Sequence, residues 1–304
     1  MSRSRMLVTL FLATALLAPA ARADGGPTPG VSVDGNGIAD EATGLRYAAV
    51  PRRGITIVTA RDRSKRVVRT RTIGGAWGIP FVTFDGTKGG LSPDGKTLVL
   101  ARLPAPAAGL AVESSMLVLD TGSLRPRRRI TLTGDFAFDA LSPDGRTLFL
   151  IQHSSATDLQ RYRVRAYDLA RGRLRRDAIV DRAEPNMAGS PLKRLAAEGG
   201  AWVYTLYVHG DEPFVHALDT VHAAARCLDL PWRGNQDRLW TSRLSLRHGG
   251  NRLAVIGRHG GRLATLDLGR PDGGGSPMGW AAAGAGAMVL AATAAVLWRR
   301  RRLS

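Results

Sequence analysis

The chain has 304 residues, a formal net charge of +18 and a single cysteine. One cysteine excludes an internal disulfide framework, so the fold must rest on a hydrophobic core, for which this length is sufficient. Of the 43 basic residues, three arginines lie in an N-terminal leader and four in a C-terminal tail, and the remainder still outnumbers the 25 acidic residues.

The N-terminus predicts a secretory signal peptide over residues 1–23. Arg3 and Arg5 precede an apolar run of residues 6–17, and Ala-Arg-Ala at 21–23 fits the small-residue pattern before a signal-peptidase cut. A retained anchor helix is the alternative, but the apolar run is shorter than the roughly 20 residues that a bilayer span needs. We therefore expect export, with Asp24 as the first mature residue.

Residues 24–43 are rich in glycine, proline and aspartate and predict a linker. Three of them, Asp34, Asn36 and Asp40, have the spacing of ligands in a calcium loop. Ser32 would be a weak first ligand there, and Thr43 stands where such loops supply a bidentate carboxylate. The candidate calcium site is therefore weak, and a plain turn-rich linker is the alternative.

A ten-residue string organises residues 44–270. Leu-Ser-Pro-Asp-Gly-Lys-Thr-Leu-Val-Leu at 91–100 returns as Leu-Ser-Pro-Asp-Gly-Arg-Thr-Leu-Phe-Leu at 141–150. Ser-Pro-Asp-Gly is turn chemistry, because proline sets φ, aspartate accepts nearby backbone N–H groups and glycine allows positive φ. The apolar runs that follow predict strands buried on both sides.

A second β-rich run follows each string and ends in an aspartate. The four aspartates keep one register and predict turns rather than a functional site: Asp120, Asp168, Asp219 and Asp267. Degenerate strings begin at Leu195 and Leu246. An upstream unit over residues 45–73 appears without its first strand, and the last unit stops after its third strand near Leu268, as expected of a ring closed by strands from both ends.

The two intact strings resemble the repeat signature of bacterial β-propeller proteins of the WD-repeat-like, YVTN and TolB types. The resemblance implies an all-β fold of about five four-stranded blades, or six or seven if long connections hide degenerate strands. The sequence has neither the Trp-Asp and Gly-His pairs of WD repeats nor the YVTN tetrapeptide, so the resemblance does not define a subfamily.

Candidate chemistry is sparse along the chain. No zinc-protease, nucleophile-elbow, phosphate-loop or dinucleotide motif occurs. His153 lies after a repeated strand, His209 lies near Asp211 and Glu212, and Cys227 has only Arg226 as a neighbouring cation. The glycine- and aromatic-rich segment 74–90 could line a loop face, although its aromatics Trp77, Phe81 and Phe84 are more typical of packing between blades.

The C-terminus predicts a membrane anchor. A Gly/Ser/Pro stalk (271–278) precedes an uncharged stretch (279–298) and an arginine-rich tail (299–304). The uncharged stretch predicts a transmembrane helix, and the positive tail predicts a cytoplasmic C-terminus, with the propeller outside. The segment also resembles bacterial C-terminal sorting tails of the Gly-Gly type, which are cut after export, so a permanent anchor and a processed tail both remain open.

These features favour an exported, single-pass, membrane-tethered propeller that binds a ligand or protein at the cell surface. Its expected partners are the membrane, through the C-terminal span, and a protein or an anionic cell-wall polymer. Nucleic acid is disfavoured by the location and by the lack of aromatic-interleaved basic patches. The alternative is an exported propeller enzyme, lactonase-like or metal- or quinone-dependent, with a site assembled from several blades. The sequence defines no cofactor and no catalytic residue.

Overall fold

Antiparallel strands follow one another in short meanders. The structure is a computed structural model that describes residues 29–104 and 109–269. These residues contain 20 strands in five sheets and one short α-helix, α1 (Asp237–Trp240). The predicted signal peptide, stalk, transmembrane helix and tail lie outside them. Within the described ranges, no helix is long and apolar enough to cross a membrane.

The first two sheets form from the N-terminal half of the described chain. A two-residue strand, β1 (Val31–Ser32), precedes them. Blade 1 consists of β2 (Ile38–Asp40), β3 (Leu45–Arg52), β4 (Ile55–Arg61) and β5 (Val67–Gly74). Blade 2 consists of β6 (Trp77–Pro80), β7 (Thr97–Arg102), β8 (Glu113–Asp120) and β9 (Pro126–Thr133), and β1 adds a fifth strand beside β6.

The remaining three sheets repeat this meander. Blade 3 consists of β10 (Asp135–Leu141), β11 (Thr147–His153), β12 (Tyr162–Asp168) and β13 (Arg173–Ile179). Blade 4 consists of β14 (Ser190–Ala196), β15 (Trp202–His209), β16 (Glu212–Asp219) and β17 (Ala224–Asp229). Blade 5 has three strands, β18 (Arg243–Arg247), β19 (Arg252–Ile256) and β20 (Arg262–Asp267). Five blades confirm the predicted all-β propeller architecture.

Apolar layers join consecutive blades. Because side chains alternate along a strand, Leu98 and Leu100 of β7 face blade 1, whereas Val99 between them faces blade 3. All three side chains are fully buried, as predicted for a strand covered on both sides. Burial of such a side chain contributes about 1.5–3 kcal/mol. Four layers link blades 1 to 5 in chain order, and among the described residues no buried apolar cluster joins blade 5 to blade 1.

The two ends of the repeat array differ from the prediction. Blade 1 has its own first strand, β2, which pairs with β3 and lies in the segment predicted as a linker. The other strand of that segment, β1, pairs with β6 along the inner edge of blade 2. The predicted linker thus contributes two strands. Their few residues, flanked by glycines, lack the apolar alternation by which longer strands are identified.

The predicted ring closure is also not observed in the described residues. No strand from the N-terminal end pairs with blade 5, whose described strands end with β20. With β2, blade 1 has four strands of its own, and the place without a strand among the described residues is the outer edge of β20 in blade 5.

The repeated string folds as predicted, into the turn between the first and second strands of a blade. Ser92 Oγ donates to Asp94 Oδ1 at 2.6 Å, and the Lys96 N–H donates to the same oxygen at 3.0 Å. The Thr97 N–H donates to Ser92 Oγ at 2.9 Å, and Gly95 has φ +70°. The second copy forms the same bonds at 2.6, 3.1 and 2.9 Å through Ser142, Asp144, Arg146 and Thr147.

The four register aspartates form turns as well. Each accepts backbone N–H groups two or three residues ahead, such as that of Ser123 on Asp120 at 2.7 Å and that of Gly269 on Asp267 at 3.0 Å. Asp168 and Asp219 do the same. These side chains stabilise the turns between third and fourth strands or the end of blade 5, which is the structural role predicted for them.

The two classes of connection lie at opposite ends of the blades. Turns between first and second strands and between third and fourth strands share one end, which we call the turn face. The connections between second and third strands and those between blades share the other end, the loop face. Near the axis, the turns between the first and second strands of blades 2 and 4 are in contact. A Cβ added to Gly200 of blade 4 would lie 2.2 Å from Cγ of Pro93 in blade 2.

Residues 81–90 cross from blade 2 to blade 4. The Phe84 N–H donates to the Pro191 carbonyl at 2.9 Å, and Lys193 Nζ donates to Asp85 Oδ2 at 2.9 Å. Of the aromatics in the glycine-rich segment, Trp77 is 1% exposed and fills the layer between blades 1 and 2, as predicted. Phe84 is instead 38% exposed, because its segment spans the centre rather than packing in a blade.

Candidate functional site

A cavity lies where the inner parts of blades 2, 3 and 4 approach one another. Its volume is about 20 Å³, which is room for about one water molecule, and it is partly open to solvent. Its walls are mostly apolar, with one histidine and two tyrosines, and come from the N-terminal segment and three blades. The lining residues are Pro29, Val82, Ala137, Phe138, Ile151, His153, Tyr162, Gly189, Pro191 and Tyr207.

His153 forms a buried pair at the loop-face end of blade 3. Its Nδ1 lies 2.8 Å from Asp135 Oδ1, and both side chains are less than a tenth exposed. The other carboxylate oxygen of Asp135 accepts the Ala111 N–H at 2.8 Å. The register places His153 opposite both Asp135 and Tyr162, so adjacent strands position the pair. His153, a sequence candidate, therefore lines the cavity in a fixed orientation.

Two stacked tyrosines join blades 3 and 4. The rings of Tyr162 and Tyr207 are 4.9 Å apart, and Phe214 stacks on Tyr207 at 5.4 Å. The Tyr162 hydroxyl is buried close to that of Tyr207 and makes no hydrogen bond of normal geometry, which is uncommon for a buried polar group. Burial raises the pKa of both hydroxyls, so the tyrosines stay protonated.

His216 and Cys227 lie behind the tyrosines. The His216 ring meets Tyr162 and Tyr207 edge-on at 6.0 and 6.2 Å, and its Nδ1 is 4.0 Å from Cys227 Sγ. Burial lowers the pKa of His216 to about 4 and, with nearby carboxylates, raises the pKa of Cys227 to about 12. Both groups are therefore neutral at neutral pH. A thiolate nucleophile needs the opposite shift, so this arrangement disfavours one.

An ion pair completes the group near the axis. Arg194 Nη2 donates to Asp139 Oδ1 at 2.6 Å, with exposed side-chain fractions of 9% and 5%. The second oxygen of Asp139 and the Nε2 atom of His216 are buried without a partner. Both charges also influence the pKa of His216 and of Tyr207. We call Asp139, Tyr162, Arg194, Tyr207, His216 and Cys227 the polar cluster.

The candidate calcium ligands are used in two separate turns. Asp34 accepts Ser32 Oγ, the Asn36 N–H and Asn36 Nδ2, and these bonds hold its pKa well below the usual range. Asp40 accepts the Ala42 N–H and Thr43 Oγ1. Within residues 29–104 and 109–269, no three His, Cys, Asp or Glu side chains are placed to share a metal ion. These hydrogen bonds explain the aspartates without a cation.

His209 lies on the loop face, away from the polar cluster. Its Nδ1 is 3.0 Å from Gln160 Oε1, and its neighbour Asp211 accepts from Gln236 at 3.3 Å. The structure thus keeps His153 at the cavity and His209 outside it. Sequence reasoning missed the association of Tyr162, Tyr207 and His216, because these residues share no local motif and meet only through packing between blades.

Comparisons with known proteins concern the fold alone. No known protein family and no curated protein matches the sequence. Three solved structures are similar at 12–18% identity: hydrazine synthase of Kuenenia stuttgartiensis (18% identity, 78% of this chain, 80% of that chain, TM-score 0.39), TolB from Acinetobacter baumannii (14%, 74%, 51%, 0.42), and the Cps50 (Swd1) β-propeller domain of Myceliophteria thermophila (12%, 77%, 63%, 0.41).

The chain spans less than two thirds of the TolB and Swd1 structures. Similarity at this level says nothing about activity. The assignment of the fold rests on the sheets of the chain itself. Five consecutive antiparallel sheets, with apolar layers between neighbours and the repeated string at the blade turns, show that the chain is a β-propeller, as its resemblance to bacterial propeller repeat proteins implies.

Proposed function

We propose that the chain is an exported, membrane-tethered β-propeller that binds a partner at the cell surface through its loop face. Export and tethering rest on the leader and the C-terminal apolar stretch described above. The propeller serves in this proposal as a rigid scaffold, and the connections of the loop face supply the contacts.

The observation that carries this proposal is the contrast between the two faces. On the turn face, serine, threonine and aspartate side chains hold the backbone of the turns. On the loop face, connections such as 154–161, 180–189 and 230–242 are long and do not repeat, and some side chains there are apolar and exposed. Val112, Trp240 and Ile55 are 84%, 45% and 40% exposed. A partially exposed tryptophan is a common anchor in protein interfaces.

Binding can be tested with full-length protein and envelope fragments from cells that lack it. Trp240→Ser and Val112→Ser together should weaken co-sedimentation by about fivefold or more, the loss expected from one contact of at least 1 kcal/mol. Val221→Ser removes an apolar side chain that is 57% exposed on the turn face and serves as the matched control. Equal losses in the two variants would contradict binding through the loop face.

Export and tethering need a separate experiment. Reporter fusions before Gly279 should be active outside the membrane, and those after Ser304 should be active in the cytoplasm. An external reporter after Ser304 would contradict the anchor. A fusion before Gly279 that stays cytoplasmic would contradict export.

An exported propeller enzyme is the second candidate, and the cavity is the observation that favours it. Its mixed lining includes His153 and Tyr162, contributed by strands of one blade beside residues of two others. Turnover of a panel of lactones by the full chain, lost in Tyr162→Phe, would favour the enzyme. Turnover that persists in this variant would remove the cavity from the enzyme hypothesis.

A further inference from the structure

We propose that the outer strands of blades 2 and 3 form a binding surface for an extended anionic polymer. The surface, here called the arginine patch, lies on the rim of the propeller, away from the loop face. It consists of Arg125, Arg127, Arg128 and Arg129 of blade 2 and Arg171, Arg173, Arg175 and Arg176 of blade 3.

Arg128, on the side of β9 that faces blade 3, links the two groups of arginines, whereas Arg129 faces the Trp77 ring on the side of blade 1. Blades 2 and 3 share an apolar layer that includes Ile130 of β9 and Tyr167 of β12. The Arg128 guanidinium reaches the turn between β12 and β13 of blade 3, since a Cβ on Gly172 would lie 2.2 Å from its Nη1. Seven of the eight arginines are exposed, and Arg128 is half-buried. A polymer lying across the rim would therefore meet both strands.

Positive charge exceeds negative charge in this patch. Arg127 pairs with Asp120, and Arg171 pairs with Asp168 at 2.8 Å. Arg129 lies over the Trp77 ring at 5.1 Å. Among the described residues, the other arginines of the patch form no ion pair. The strand β13 also contains one acidic residue, Asp177. Each of the two pairing aspartates also accepts a backbone N–H, so the turn already uses part of its hydrogen-bonding capacity.

Protection of sheet edges is the simpler explanation for charged outer strands. Charges there hinder pairing with other chains. However, the outer strands of blades 1 and 4 carry fewer arginines: β5 has Arg69 and Arg71, and β17 has Arg226. Edge protection therefore does not require the density of arginines seen on β9 and β13.

Arginine and strand geometry together indicate the ligand. A guanidinium binds phosphate or carboxylate through two parallel hydrogen bonds. Alternate residues of a strand are about 6.6–6.8 Å apart. An extended polymer with anionic groups at comparable intervals would thus meet successive arginines. The described chain ends on blade 5, so a C-terminal tether would not hold this rim on the membrane, which favours a polymer over a lipid surface.

The inference goes beyond the proposed function, and it relies on export only to place the polymer outside the cell. The test uses the full chain in neutral detergent, titrated with long-chain polyphosphate and with poly-L-glutamate. The patch variant carries Arg125→Gln, Arg173→Gln, Arg175→Gln and Arg176→Gln. The control removes the same charge from the loop face through Arg52→Gln, Arg233→Gln, Arg258→Gln and Arg262→Gln, all of which are exposed.

The patch variant should bind at least one of the two polymers about tenfold or more weakly, and the control should differ from wild type by less than about twofold. Affinity should fall as salt rises, and thermal unfolding should show that both variants are folded. Equal losses in patch and control variants, or no binding to either polymer, would overturn the proposal. So would equal or tighter binding to duplex DNA or to phosphatidylglycerol vesicles. The titrations do not depend on the reporter fusions. A failure of the export proposal can therefore be told apart from a failure of polymer binding.

Discussion

The turn face and the polar cluster use polar side chains in opposite ways. On the turn face, Ser92 and Asp94 bond to each other and to backbone N–H groups, and their copies in blade 3 do the same. In the polar cluster, buried atoms of Asp139, Tyr162 and His216 have no partner. Satisfied turns add stability, whereas unpartnered buried groups cost stability unless they serve another purpose. The turn face therefore belongs to the scaffold, whereas the polar cluster contains buried polar atoms that the scaffold does not use.

Close packing of the turns around the axis should produce the largest effect. Gly200 has φ +73° and its Cβ would lie 2.2 Å from Pro93, so Gly200→Ala should reduce the free energy of unfolding by about 3 kcal/mol through strain and overpacking. Gly199 has φ +70° with no atom within 4 Å of its Cβ, so Gly199→Ala should cost about 1 kcal/mol. Chemical denaturation measures both. Equal costs would mean that the turns of blades 2 and 4 do not meet.

The polar cluster should respond to acid through His216. Its pKa is lowered from 6.5 to about 4, so the unfolded chain takes up a proton between these values while the folded chain does not. Stability is therefore complete above pH 6.5 and falls as the pH drops towards 4, by up to about 3 kcal/mol.

His216→Gln should remove most of this slope from a plot of unfolding free energy against pH, whatever its effect on absolute stability. The exposed residue His259 provides the matched control through His259→Gln. A slope between pH 6.5 and 4 that His216→Gln leaves unchanged would show that the imidazole is not buried in its neutral form.

Aspartate caps distinguish the intact string from its degenerate copy. Asp144→Ala removes an acceptor for Ser142 and for the Arg146 N–H and should cost about 1 kcal/mol. In blade 4 the corresponding turn keeps its backbone bond from the Gly200 N–H to the Ala197 carbonyl, at 2.9 Å, and relies on two glycines. Glu198 is exposed there, so Glu198→Ala should change stability by less than about 0.5 kcal/mol. If Asp144→Ala and Glu198→Ala shifted the melting temperature equally, the aspartate would not distinguish the intact turn from the degenerate one.

The smallest effect is expected for the Tyr162 hydroxyl. Because this buried group has no partner, Tyr162→Phe should leave the free energy of unfolding unchanged or raise it by up to about 1 kcal/mol. Calorimetry of the two proteins checks the sign. Destabilisation of more than about 1 kcal/mol would show that the hydroxyl makes a bond in solution and that the cluster is better satisfied than it appears.

Local chemistry explains which parts of the fold could be predicted. The intact strings specify turns within ten residues, and the strands after them are apolar enough to predict burial, as Leu98 and Leu148 show. The strand β2 has only three residues, and β1 is defined by pairing with β6, so neither leaves a periodic pattern. Tyr162 and Tyr207 come from different blades and meet through packing that no local pattern encodes.

Hydrogen–deuterium exchange of the full chain, with and without envelope fragments, tests the separation of scaffold and binding surface most directly. Binding should slow exchange in the loop-face segments 52–55 and 230–242 and leave the turn segments 91–97 and 141–147 unchanged. Slower exchange at the repeated turns, with the loop face unaffected, would contradict the assignment of the turns to the scaffold.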